Sequence, residues 1–159
     1  ARIKYPSISK LAGRNDIIGA RVARDDRYLY FYVETAQTLT SPSGHNWMML
    51  FIDVDRNKQT GWQGYDYVIN YRNPKGNKVF LQKSFQNKWI WKDAGMAEMK
   101  MKNNQLMLKI PRNLINLQGG KLNSEFKWSD NMQDEGNIMD FNVNGDAATG
   151  GRFNYIFTE

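Results

Sequence analysis

The chain has 159 residues, 41% of them hydrophobic and 13% aromatic, with no cysteine and a net charge of +6 from 22 basic and 16 acidic side chains. This composition is globular rather than disordered, and long enough to bury a substantial core as one domain, residues 1–159. It excludes a disulfide framework, a cysteine-based zinc site and a cysteine nucleophile, and no apolar run approaches the roughly 18 residues that span a bilayer.

Residues 1–16 read as an irregular lead-in without the apolar core of a signal peptide. The start, Ala-Arg-Ile-Lys, carries no initiator Met and reads as a mature or excised fragment, its export signal lying elsewhere. Ile17–Ala23 alternates weakly, Asp25-Asp26 turns the chain, and Arg27–Thr35, dense in Tyr, Phe and Val, is a strong strand signal. A loop over Thr38–Asn46 leads to Trp47–Val54. That run is apolar on both faces, which predicts a central strand covered on both sides. The polar stretch to Asp66 separates it from a returning strand, Asp66–Arg72. Asn73–Asn77 is a turn by composition, and Lys78–Phe85 alternates. Short strands are expected at Lys88–Trp91, Ala97–Lys102 and Gln105–Ile110, the last two joined by a tight Asn103-Asn104 hairpin. Pro111–Leu117 is the one candidate helix, opened by proline and stopped by Gly119-Gly120. Glu125–Ser129 is a strand, residues 130–151 a long polar stretch, and Arg152–Thr158 a last aromatic strand. Nine or ten short strands at this spacing predict an all-β fold, an antiparallel two-sheet β-sandwich of jelly-roll or immunoglobulin-like type.

The stretch on which the rest is organised is Phe51–Asn70, FIDVDRNKQTGWQGYDYVIN. Asp53, Asp55 and Asn57 are spaced two apart, and Asp66 follows beyond Thr60-Gly61-Trp62 and Gly64. Oxygen donors at this spacing converge when an extended chain bends, and Ca²⁺ takes six to eight such ligands. The start matches an EF-hand loop, but Lys58 stands where that loop needs glycine and Gly64 where it needs a bidentate Glu, so an EF-hand is rejected. Two readings stand. One is a calcium loop on a β-hairpin, with Asp53, Asp55, Asn57 and Asp66 as ligands. The other is a plain turn, in which Asp and Asn side chains bond their own backbone.

Aromatic side chains are the other chemical resource, because a pyranose presents an apolar C–H face and polar edges. Trp47 and Trp62 flank loops, Trp89 and Trp91 share one face of a strand, and Trp128 precedes Asp130-Asn131. Trp62, bracketed by Gly61 and Gly64, is the tryptophan most expected to be exposed; for all five the plain alternative is a core position. A second acidic group, Asp130, Asn131, Asp134, Glu135 and Asp140, offers either another cation site, acceptors for sugar hydroxyls, or a solvated loop. His45 is the only histidine and no nucleophile-elbow motif is present, so a serine triad has no support. Met48, Met49, Met99, Met101 and Met107 fall in strand patterns and read as core filler rather than haem ligands. Lys and Arg are dispersed singly, which argues against a nucleic-acid stripe.

Three segments, DVDRNKQTGWQGYDYVIN, LMLKIPRNLI and EFKWSDNMQDEGNIMDFNVNGDAATGGRFNYIFT, resemble C-terminal β-sandwich domains of exported bacterial proteins of the Bacteroidetes type. Those domains are relatives of the family 9 carbohydrate-binding modules within the DOMON-like sandwiches. The resemblance implies a two-sheet antiparallel fold, bound calcium in some members and sugar binding in some. Asp53, Asp55, Asn57 and Asp66 fall on the acidic loop that these domains share. The expectation is a monomeric, non-catalytic accessory module of a secreted, periplasmic or cell-surface protein. Its partners would be a poly- or oligosaccharide and a neighbouring domain of the parent, with no nucleic acid and no membrane span. The rival expectation is a scaffold domain that packs on a neighbouring glycoside hydrolase-type domain and has no ligand of its own.

Overall fold

The computed structural model describes residues 14–140, 146–148 and 154–159, with the side chains of 146–148 excepted. The chain runs through ten strands: β1 (Ile17–Arg24), β2 (Tyr28–Thr35), β3 (Met49–Asp53), β4 (Tyr67–Ile69), β5 (Lys78–Ser84), β6 (Trp91–Lys102), β7 (Gln105–Pro111), β8 (Asn123–Asp130), β9 (Asp146–Ala148) and β10 (Tyr155–Thr158). Every pairing is antiparallel. The all-β antiparallel character therefore matches the expectation. The strands form one continuous hydrogen-bonded path, β1-β2-β7-β6-β5-β4-β3-β8-β10, with β9 also on β8. This path coils until its ends approach: Arg24 of β1 pairs with Glu159, just past β10, at 2.7 Å. The result is a nearly closed, barrel-like sheet.

Alternation sorts the side chains to two faces. The inner face holds Leu29, Phe31 and Val33 of β2, Leu50 and Ile52 of β3, Leu81 of β5, Leu106, Leu108 and Ile110 of β7, and Phe126 and Trp128 of β8 in one cluster. The Phe31 and Phe126 rings meet edge-on across it, 5.2 Å between centroids. Strand β3 is buried on both faces, as its sequence predicts: Met49 and Phe51 point to the outer side and join a second apolar cluster with Trp62, Tyr65, Val68 and Met132.

Four local expectations are corrected. Lys88–Trp91 and Ala97–Lys102 are not separate strands: Trp91–Lys102 is one strand, with Ala94 the extra residue of a bulge against β5 and Gly95 at φ +135° absorbing the bend. Pro111–Leu117 shortens to a single 3₁₀ turn, Arg112–Ile115, ended by Asn116 in the left-handed region. The polar stretch 130–151 contains a strand, β9, and Met101 is 40% exposed rather than core. The Asn103-Asn104 hairpin is present, with Asn103 at φ +55°.

Candidate functional site

The β3–β4 connection folds back over the outer face of β3. Trp62 and Tyr65 exchange two backbone hydrogen bonds of 2.8 Å, and the Gly61 N–H donates to Asn87 Oδ1 at 2.8 Å, which ties the loop to the β5–β6 hairpin. Gly61 sits at φ +75°, and a Cβ there would lie 2.2 Å from the Tyr65 carbonyl oxygen. Gly61→Ala is therefore expected to cost about 2–4 kcal/mol, from left-handed strain plus overpacking, measured by urea denaturation. A variant as stable as the parent would contradict this loop geometry.

The same fold-back gathers the acidic side chains. Carboxylate oxygens of Asp53, Asp55 and Asp66 lie within 4.8 Å of one another, and they are the only such acidic group among the described residues. Asp53 ends β3 and is fully buried; Asp66 is 8% exposed; Asp55 faces solvent. Burial pushes Asp53 up to about 7, reinforced by the hydrogen bond it shares with Asp55 and opposed by the Lys58 ammonium. Burial likewise raises Asp66 to about 6, against the Val54 N–H that donates to it at 2.9 Å. For Asp55 burial also pulls upward, but the Thr60 hydroxyl, the proton shared with Asp53 and the Asn57 N–H outweigh it and hold it low. Three carboxylates this close cannot all ionise cheaply without a cation. Lys58 Nζ lies 3.4 Å from Asp53 and 3.3 Å from Glu125 and supplies part of that charge. The donor set is all hard oxygen, which suits a divalent cation of the Ca²⁺ or Mg²⁺ type.

Asn57 meets the cluster through its backbone, its N–H donating to Asp53 Oδ1 at 3.3 Å and to Asp55 Oδ1 at 3.1 Å. Its Oδ1 accepts the Gln59 N–H at 2.9 Å, the turn-forming role that Asn often takes in loops. Glu125, paired with Asp53 across β3 and β8, belongs to the site's electrostatics and escaped sequence reasoning, because cross-strand register is not written in local spacing.

The tryptophans divide. Trp47 is wholly buried and donates its Nε1–H to Thr40, and Trp128 is wholly buried in the inner core. Trp62 is 4% exposed, not the exposed loop residue its glycine neighbours suggested. The loop turns inward because Phe51 needs an apolar cover, and Trp62 supplies it. Trp89 and Trp91 are half-buried members of the same outer aromatic cluster. Phe51 has the rings of Trp62, Tyr65, Trp89 and Trp91 at 5.8, 5.4, 6.0 and 6.2 Å.

At the open side of this cluster a polar rim appears that the sequence did not single out as a unit. Tyr71, edge-on to Trp89 at 5.5 Å, donates its hydroxyl to Glu135 at 2.6 Å. Asn46 donates to the other Glu135 oxygen at 3.1 Å, and His45, half exposed, lies 3.9 Å from it. Burial pulls the Glu135 carboxyl upward, but Tyr71, Asn46 and His45 hold it below its ordinary range. The rest of the second acidic group is dispersed. Asp130 is buried in a two-pronged ion pair with Arg14, at 2.8 and 3.0 Å, and accepts the Met48 N–H. Asp140 caps the Gln133 N–H and Asp134 accepts from Asn137.

Comparison of the chain with family models, with curated proteins and with solved structures returns no match.

Proposed function

We propose that this chain is a non-catalytic, carbohydrate-binding accessory module of a larger exported bacterial protein, with one calcium ion held by Asp53, Asp55 and Asp66. In this reading it is a family 9-like, DOMON-like sandwich, supported by the contact of the Phe31 and Phe126 rings between β2 and β8. The observation that carries the binding reading is the pairing of a half-buried Trp89 with the Tyr71–Glu135–Asn46–His45 rim. An indole face supplies apolar contact to a pyranose, and a carboxylate, an amide and an imidazole at its edge supply hydrogen bonds. Calcium would fix the loop whose Trp62 backs the platform, and binding would be an equilibrium with no bond made or broken.

A glycan array followed by calorimetry on the best hit tests this. Trp89→Ala is expected to weaken binding about 10- to 50-fold, the loss of one well-packed aromatic anchor. Silence across plant, algal and host glycans would instead favour a ligand-free scaffold. One observation supports that rival: Phe85 and Ile90, at the β5–β6 hairpin, are 41% and 42% exposed and could pack on a neighbouring domain.

A further inference from the structure

We infer that the outer face of β1, β2, β7 and β6 is a second binding surface, one for an anionic polysaccharide of the polyuronate class. The basic residues look scattered in sequence, but strand register collects them. Arg21, Tyr32, Met107 and Lys100 form one cross-strand row, and Ala23, Tyr30, Lys109 and Glu98 form the next. The Arg21 guanidinium sits 5.2 Å from the Tyr32 ring centroid and the Lys109 ammonium 4.2 Å from that of Tyr28. A ring holds a cation in place without neutralising it. Arg14, Arg24, Arg56, Lys58, Arg72 and Lys78 form ion pairs with carboxylates, whereas Lys75, Lys83, Lys88 and Lys92 form none among the described residues. Among the described residues, Arg21, Lys100, Lys102 and Lys109 form none. Beside Arg21 and Tyr32 the surface dips into a groove of about 510 Å³, also lined by Gly19, Glu34 and Gln105, a volume within the range of ligand sites.

The arrangement selects among polyanions. A run of nucleobases would need several bare ring faces, and of the three tyrosines only Tyr30 carries no cation, since Lys109 and Arg21 sit over Tyr28 and Tyr32. A uronate carboxylate meets those cations where they already are, while its hydroxyls reach the Gln105 amide and the tyrosine hydroxyls. This surface lies on other strands from Trp89, and the inference does not rest on that site.

Affinity electrophoresis of the full chain through gels containing polygalacturonate, neutral dextran or poly(dT) tests the inference. Polygalacturonate is expected to retard the protein and dextran is not. The affinity should fall at least tenfold between 50 and 300 mM NaCl, since ion contacts dominate it. Arg21→Ala combined with Lys100→Ala should lower it at least tenfold, while Lys75→Ala, an exposed position in the β4–β5 turn, leaves it unchanged. Both substituted positions are exposed, so circular dichroism is expected to report an intact fold. No retardation by polygalacturonate, equal or tighter binding of poly(dT), or wild-type affinity in the double variant would each overturn the proposal.

Discussion

Asp53→Asn is expected to stabilise the calcium-free protein at pH 7 and to abolish its stabilisation by calcium. The sign follows from linkage. Asp53 titrates near 7 and Asp66 near 6 in the fold, both raised chiefly by burial. In the unfolded chain a carboxyl titrates near about 3.9. Between about pH 4 and 7 the native state thus binds more protons than the unfolded state, so stability falls as pH rises through that window. Chelator-treated wild type should melt at a lower temperature at pH 7 than at pH 5. Asparagine imitates the protonated acid, removes the proton uptake and flattens that slope. A divalent cation replaces the shared proton, so calcium should raise the melting temperature strongly at pH 7 and little at pH 5. At 100 times its dissociation constant a ligand adds about 2.7 kcal/mol. A metal-free melting temperature that climbs from pH 5 to pH 7, or a calcium response that survives Asp53→Asn, would contradict the arrangement.

Phe51→Ala is expected to be the most damaging single truncation on the outer face. Phe51 is fully buried and touches four aromatic rings contributed by the β3–β4 loop and the β5–β6 hairpin. Removing a buried phenyl ring costs about 3–5 kcal/mol, because the transfer energy is lost and a cavity remains. Set against a typical total of about 5–15 kcal/mol, that lowers the denaturation midpoint severely. The loss should appear both with and without calcium. It should also weaken carbohydrate binding, since Trp89 leans on Phe51. A loss below about 1 kcal/mol in urea denaturation would mean that the loop does not pack on β3 as described.

The strands were legible wherever composition and alternation were local properties. Tyr28–Thr35 and Met49–Asp53 lie within the runs that predicted them, and β3 is covered on both faces because it is apolar on both. What failed was information held in the partner strand. Gly95 is the one local sign of a bulge, but without the partner strand it reads equally as a break, so a single long strand read as two short ones. The exposure of Trp62 was misread for a related reason. Its glycine neighbours signal a bend but not its direction, and the direction is set by the uncovered ring of Phe51. The carboxylate cluster was visible as spacing, because Asp53, Asp55 and Asp66 belong to one hairpin. Glu125 and the Tyr71–Glu135 rim were not, since each joins residues brought together only by sheet register or loop return.

The β3–β4 hairpin turns its acids toward a common point that could hold a cation. Calorimetric titration of calcium into chelator-treated protein at pH 7.5 addresses that most directly. The expected result is one ion per chain, with the binding heat lost in Asp66→Asn. No heat at millimolar calcium, or an unchanged isotherm in that variant, would contradict it.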